Sequence, residues 1–337
     1  MGDMLTELHH TQSDRPIYSS KQLEAYFVLI GLPSALLASP MLKEPDLART
    51  RDYGLPFVAA LMRYHLVAIP FENLSLHYSS SRYVALDMSE LYERMVEQGS
   101  GRGGQCMEMN GMFGTVLRSL GFEVMSSAGR VNTACQDAAR HPGYKGPSYN
   151  GWDHMVNIIT LSSERYLIDV GMGSRGPMVP LLLNSGACTT SVSPRKVRLL
   201  HGHIPEHTSS HASNMLWKLE VCSRGGSPWI PTYAFSDIEF LPQDFEVMNW
   251  YISMNRRSWF THKLLVSRMV MDNQGKELIG DLTLFGRDFR ERIHGETTVD
   301  FECKSEQERV QLLQARFGIK LSDRERKGIE WTIAAIQ

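Results

Sequence analysis

Residues 101–121 read Gly-Arg-Gly-Gly-Gln-Cys106-Met-Glu-Met-Asn-Gly-Met-Phe-Gly-Thr-Val-Leu-Arg-Ser-Leu-Gly, and no other stretch limits the possible folds of this chain so strongly. Glycines at 101, 103 and 104 reach backbone angles closed to other residues and predict a tight turn. Beyond them Met109, Met112, Phe113, Val116, Leu117 and Leu120 recur at helical spacing, and Gly121 supplies a stop. Cys106 therefore stands where a glycine turn meets the first turn of a buried helix. Unpaired N–H groups and the positive end of the helix dipole favour a thiolate there, the nucleophilic form of cysteine. The competing reading is a small buried hydrophobe, as free cysteines commonly are. A base elsewhere in the chain decides between the two.

At 337 residues the chain exceeds the size at which a single core stops growing, so two or three domains are expected. Hydrophobic residues make up 42%, enough for packed cores, and the net charge of −2 leaves no electrostatic footprint for nucleic acid. No apolar run approaches the length of a membrane span. Residues 1–18 are polar and carry Asp3, Glu7 and Asp14, unlike a signal or transit peptide. Cysteines 106, 135, 188, 222 and 303 are scattered without a Cys-x-x-Cys pair, so neither a disulfide framework nor a structural zinc site follows. A soluble, cytoplasmic protein without nucleic-acid or membrane partners is expected.

Residues 1–19 read as a loose lead-in, and residues 21–37 as two short helices parted by Gly31-Leu-Pro33. The run 52–56, with Gly54 and Pro56, reads as punctuation before an amphipathic helix over 57–67. Residues 69–74 follow as a breaker and turn, and residues 88–98 as a helix capped near Asp87 or Ser89. After Gly121 the texture changes. Residues 122–131, 155–161, 166–170, 178–183 and 217–222 read as strands, whereas 132–149 and 185–215 read as irregular. Short turns between sequential strands suggest an antiparallel sheet or barrel. Past Pro242 a helix over 244–253 precedes strands at 263–271, 276–285 and 297–303. A final helix over 305–317 opens on the capping-box pair Ser305 and Glu308.

A cysteine nucleophile needs a base, and the base a third group to orient it. Among twelve histidines, His154 stands at the mouth of one predicted strand and Asp169 near the end of the next. If residues 162–165 form the turn between them, simple antiparallel register sets His154 directly opposite Asp169. An aspartate within an apolar run also demands a partner. Taken singly, the two residues also fit a solvent-facing strand end and a turn residue; meeting across one hairpin, they suggest a triad with Cys106.

Arg102-Gly-Gly-Gln-Cys106-Met-Glu108-Met-Asn110 resembles the Arg-Gly-Gly-x-Cys-x-Glu-x-Asn signature of the arylamine N-acetyltransferases. His154, the segment 169–173 and the segment 69–74 also match family motifs in order, so the similarity spans most of the chain. The resemblance implies an α+β protein in three parts: an N-terminal helical bundle (1–121), a central antiparallel β-barrel (122–241) and a C-terminal α/β lid (242–337). It implies ping-pong acyl transfer from acetyl- or malonyl-coenzyme A to an aromatic amine or hydrazine, with Cys106, His154 and Asp169 as triad and no permanently bound cofactor. It also implies coenzyme A contacts at Asn150, Gly151, Gly173, Ser174 and Arg175, and acceptor contacts at Phe71, Asp153 and Met172. Arg102 and Glu108 are expected to pair and brace the turn, and Asn110 to fasten the loop. The family often has phenylalanine where Met172 stands, and an insertion near 185–215 in eukaryotic members. Asn255, Arg256 and Arg257 replace a small proline-containing segment of acetyl-specific relatives. Two guanidinium groups near the acyl end could pair with a free carboxylate, which makes malonyl-coenzyme A a candidate donor, as in some fungal relatives.

A cysteine amide hydrolase or transglutaminase-like enzyme would use the same three residues in the same order. The intervals of His201, His203, His207 and His211 would suit a metal, but no cysteine or carboxylate completes the set, and no metal is expected.

Overall fold

The computed structural model describes residues 15–136, 144–330 and 332–336. The lead-in over 1–14, the middle of the 132–149 loop and the Cys135 side chain lie outside the described residues.

Helices α1 (Ser20–Leu29) and α2 (Ser34–Leu37) flank Gly31-Leu-Pro33 as expected. Ser19 caps α1, its hydroxyl accepting from Gln22 N at 3.3 Å while the Gln22 side chain accepts from Ser19 N at 2.9 Å. Helix α3 (Arg51–Ala68) begins six residues before the expected start, with Pro56 inside it. Only one carbonyl loses its partner to the proline ring so near the N-terminus, so the run 52–56 is the helix's opening turn and not a break. Helix α4 (Met88–Tyr92) is capped by Asp87, which accepts from Ser89 N and Glu90 N. Helix α5 (Cys106–Ser119) is buried along its whole length from Cys106 to Leu117. Met109, Met112, Phe113, Val116 and Leu117 make it the centre of the largest apolar core, with α1, α3 and the inner side of the following sheet around it.

The segment 69–74 is more than a breaker. It forms the short strand β1 (Phe71–Glu72), which pairs with β10 (Leu265–Met271), far along the chain. Between them lies an eight-stranded antiparallel sheet of β2 (Glu123–Val131), β3 (His154–Leu161), β4 (Glu164–Ile168), β5 (Leu181–Leu182), β6 (Cys188–Thr190), β7 (Lys196–Gly202), β8 (Leu216–Cys222) and β9 (Ile230–Phe235). Its order, β5-β4-β3-β2-β9-β8-β7-β6, is open at both ends. The expected antiparallel barrel is therefore a curled half-barrel, whose edge strands of two and three residues offer little backbone to pair. The reading of 185–215 as irregular is also corrected, because β6 and β7 fall within it. In β7 Val197 and Leu199 point inward between exposed or half-exposed neighbours, an alternation hidden by the polar residues around it.

The β3–β4 turn is two residues, Ser162 and Ser163, not four; both have positive φ, at 45° and 69°. Ser162 N donates to Arg49 O and Ser162 Oγ accepts from Arg51 N, so the start of α3 holds this turn. Leu161 pairs with Glu164 and Asn157 with Ile168. Continuing that register, Asp169 lies diagonal to His154 and not directly opposite. A slip of two residues keeps both on the same face, where a slip of one would have separated them.

Helix α6 (Pro242–Met254) leads into the second sheet, ordered β1-β10-β11-β12-β13, with β11 (Leu278–Phe285), β12 (Asp288–Ile293) and β13 (Glu296–Glu302). Strand β12, with buried Phe289 among four charged residues, carries too little alternation to be read from sequence. Helices α7 (Glu306–Leu312) and α8 (Asp323–Gly328) follow. Leu312, Leu313 and Phe317 pack on Val266, Leu284 and Phe289 of this sheet. Among the described residues no helix is long and apolar enough to cross a membrane.

Candidate active site

Cys106 is the first residue of α5, and the turn before it runs in close contact with its surroundings. A Cβ at Gly103 would stand 1.8 Å from Pro70 O, and one at Gly171 would stand 2.8 Å from Cys106 Cα. Glycine at these two places lets the 69–74 segment pass under the turn and the end of the β3–β4 hairpin lie against the cysteine.

Charge closes the turn. Arg102 Nε donates to Glu72 Oε1 at 2.8 Å, Nη1 to Glu325 at 2.7 Å and Nη2 to Ser75 Oγ at 3.0 Å. Glu108 instead pairs with Arg94, at 2.6 Å, and accepts from Gln105 N at 2.8 Å. The expected Arg102–Glu108 pair is thus replaced by two separate pairs. The reason is topological: β1 sets Glu72 beside Gly104, Glu72 N donating to Gly104 O at 3.0 Å, and the π-helical turn Glu93–Glu97 that continues α4 supplies Arg94. Burial works against the Glu72 charge, yet Arg102 holds that carboxyl below its ordinary range; at Glu108 burial prevails and raises it.

His154 and Asp169 are both 1% exposed, and His154 Nε2 stands 3.0 Å from Asp169 Oδ2. With Nε2 engaged there, Nδ1 is the nitrogen left for the Cys106 thiol, a hydrogen-bonding neighbour of the ring. Burial alone would lower the imidazole, but Asp169 and the thiol outweigh it and push it up to about 10. Burial likewise opposes the Asp169 charge, which His154, Asn110 and the nearby Tyr233 hydroxyl hold below its ordinary range. The Tyr233 ring lies 4.7 Å from the His154 ring, centroid to centroid. The Cys106 Sγ–H points at Asp153 O, 3.7 Å away, and the cysteine is 5% exposed among Phe71, Met107, Met155, Phe245, Met248 and Ile252.

Asn110 does more than fasten a loop. Its Nδ2 donates to Met155 O at 2.6 Å and Asp169 Oδ1 at 2.9 Å, and its Oδ1 accepts from Val170 N at 2.9 Å. One side chain on α5 thereby clips both strands of the hairpin that carries the imidazole and the carboxylate. Asn110→Ala would strand these groups in a dry interior and is expected to lower stability by about 2 kcal/mol. An unchanged denaturant midpoint would count against that role.

A sequence model of the family described as N-acetyltransferase matches residues 54–326. The chain belongs to the arylamine N-acetyltransferase family. It is 45% identical to an N-malonyltransferase, FDB2, of Fusarium pseudograminearum over 326 residues, 93% of each chain. It is 29% identical to an arylamine N-acetyltransferase / N-hydroxyarylamine O-acetyltransferase of Salmonella typhimurium, covering 84% of this chain and 90% of the relative. The solved arylamine N-acetyltransferase of Mycobacterium marinum in complex with CoA matches with a TM-score of 0.70 at 26% identity, over 93% of this chain and 99% of that one. This family member is accordingly an N-acyltransferase enzyme, and its curled half-barrel is that of the solved relatives.

The other expected residues fall in three places. Asn150 and Gly151 lie exposed on the loop before His154, where Asn150 Nδ2 donates to Asp153 at 2.7 Å. The other Asp153 oxygen accepts from Val131 N at 2.8 Å; burial raises this carboxyl to about 6. Asp153 thus braces the loop with its carboxylate and faces Cys106 with its carbonyl. The turn Gly173–Arg175 sits against Phe71 and Ser267, with Ser174 N donating to Ser267 Oγ at 3.1 Å. Met172 packs beside the inner apolar core of the half-barrel, not with Phe71 in the Cys106 cluster. Arg256 and Arg257 are exposed at the C-terminal end of α6, with no ion-pair partner among the described residues, and Asn255 Oδ1 accepts from Arg257 N at 3.0 Å. The buried face of α6 forms a wall of the Cys106 cluster.

Glu72, Arg94 and Tyr233 escaped the sequence reading. Glu72 lay in a segment read as a turn, and Tyr233 in β9, where Pro231 breaks the strand pattern although Ser223-Arg-Gly-Gly-Ser-Pro228 marks a turn before it. Of the four spaced histidines, only His203 and His207 converge, Nδ1 to Nδ1 at 3.2 Å; His201 stacks on Trp217, and His211 caps Ser213 N. Among the described residues no group of three or more His, Cys, Asp or Glu side chains could hold a metal ion.

Proposed function

We propose that this protein transfers an acyl group from acyl-coenzyme A to an aromatic amine or hydrazine through an acyl-cysteine, with Cys106, His154 and Asp169 as its catalytic residues. The observation that carries the reading is the buried relay in which Asp169 holds Nε2 of His154 and leaves Nδ1 for the Cys106 thiol. The ring takes the thiol proton, the sulfur attacks the thioester carbonyl, and coenzyme A departs as a thiol with that proton. The oxyanion formed in between would lie at the unpaired N–H groups of the first α5 turn, that of Cys106 among them. The amine then attacks the acyl-cysteine, and His154 receives its proton.

The same geometry would serve an amide hydrolase. Near-complete burial of Cys106 and His154 supports transfer instead, since a site that excludes water protects its acyl-enzyme. Exposed Asn150 and Gly151 and the Gly173–Arg175 turn are assigned to coenzyme A, and Phe71 and Asp153 to the acceptor; Met172, packed against the inner core of the half-barrel, is not assigned to it. The three-part division at residues 121 and 241 is kept in this reading, with β1 lent by the first part to the sheet of the third.

A malonyl donor is favoured by the 45% identical N-malonyltransferase and by Arg256 and Arg257, charged, exposed and one turn past the wall of the site. Separate incubation with acetyl- and malonyl-coenzyme A, followed by mass spectrometry of the Cys106 peptide, tests both statements. Acylation of Cys106 with stoichiometric release of coenzyme A is expected, faster from the malonyl donor. Acylation elsewhere, or none, would refute the mechanism. In Arg256→Ser/Arg257→Ser, malonyl transfer is expected to fall about tenfold or more while acetyl transfer holds. An unchanged malonyl preference removes the arginines from donor choice.

A further inference from the structure

Gln105, the residue immediately before the nucleophile, is 1% exposed. Its orientation is set by a chain of hydrogen bonds with one direction. Val84 O can only accept, so it takes Asn249 Nδ2, at 2.8 Å. Asn249 Oδ1 is thereby turned to Gln105 and accepts from Gln105 Nε2 at 2.7 Å. Gln105 Nε2 also lies 3.4 Å from Ser253 Oγ. Its other side-chain atom, the carbonyl Oε1, is left buried with no hydrogen-bond partner. A buried carbonyl without a donor is costly, and the amide cannot rotate to cure it without setting its oxygen against Asn249 Oδ1. The amide reaches from the residue before Cys106 to Asn249 and Ser253 of α6, the helix whose Met248 and Ile252 share one apolar cluster with Cys106.

We propose that Gln105 Oε1 is the acceptor-orienting group of this enzyme, taking a hydrogen bond from an N–H of the amine as it attacks the acyl-cysteine. This rests on the acyl-cysteine reading above. In that step the C–N bond forms, the C–Sγ bond breaks, Cys106 leaves as thiolate, and one ammonium proton passes to His154 Nδ1, restoring the resting pair. A second N–H of a primary amine remains for Gln105. Positive charge develops on the nitrogen during attack, so this bond is stronger in the transition state than with the free amine and acts on rate. The first half-reaction has no such nitrogen. A fixed carbonyl also discriminates: it welcomes a donor and offers nothing to the carboxylate of a malonyl group, which is left to other residues.

The two half-reactions separate the roles. In Gln105→Leu, acyl-enzyme formation, read as coenzyme A release and as mass on Cys106, is expected to stay within about threefold of the native rate. Transfer from the isolated acyl-enzyme to a primary arylamine is expected to slow about 10- to 100-fold, the range for a hydrogen bond to a charged group. A ring-matched N-methyl arylamine has no N–H left after proton loss, so its rate should change little and the primary-to-secondary ratio should collapse. Equal slowing of both half-reactions, or of neither, overturns the proposal. If Gln105→Leu does not fold, the native acyl-enzyme decides, because equal rates for the primary and N-methyl amines would overturn it. Failure of the native protein to form an acyl-enzyme at all would instead strike the underlying mechanism.

Discussion

Asp169→Asn is expected to lower acyl transfer by about 10⁴-fold while leaving the fold in place. The carboxylate accepts three hydrogen bonds, from His154 Nε2, Asn110 Nδ2 and Gly171 N. An asparagine can present only one oxygen to these donors, so its NH₂ must face a donor or turn His154 to the wrong tautomer. Nδ1 would then carry a proton and could not accept one from Cys106. The same change removes the charge that outweighs burial at His154, so the imidazole should fall from about 10 to below its ordinary value. The sign of the stability effect follows. A folded-state pKa above the unfolded 6.5 contributes stability that is full below about pH 6.5 and is lost as pH rises through about 10. Asp169→Asn should abolish that alkaline loss. Steady-state kinetics, with denaturation at pH 6 and pH 10, would check both. A loss of under tenfold in rate would remove Asp169 from the mechanism.

Arg102→Leu is expected to cost about 3–5 kcal/mol of stability, the range for breaking a buried ion pair on one side. Glu72 is 1% exposed and would lose its ion-pair partner, keeping only the unbonded Arg94 to oppose its charge, while Glu325 on α8 and Ser75 would lose their link to the turn. The turn also sets Cys106, so activity should fall with stability. Glu72→Leu combined with Arg102→Leu should recover part of the stability, because no buried charge is then left alone. Denaturant unfolding of the two variants would measure this. A loss below 1 kcal/mol in Arg102→Leu would show that the pair is not what holds the turn.

Local pattern carried a great deal of the molecule. The start of α5 at Cys106, the cap at Asp87, and the strands β2, β3 and β8 follow from neighbours within one turn or one strand. The motif around Cys106, with His154 and Asp169 in order, pointed to the family that the comparisons then established. Errors arose where a distant element decided. Pro56 reads as a break until α3 is seen to start before it. Val197 and Leu199 read as loop residues until β8 lies beside them. The serine pair at 162–163 gives no glycine or asparagine signal for positive φ; Arg49 and Arg51 hold it there.

By itself the sequence determined which residues could do chemistry, a cysteine at a helix start and a histidine and aspartate on one hairpin face, because these rest on periodicities of 3.6 and 2. Tertiary structure alone decided which charges meet. Arg102 chose Glu72 over Glu108, and Gln105 was locked by Asn249, because buried ions and amides take whichever partner the packed backbone brings within about 3 Å, whatever their separation along the chain.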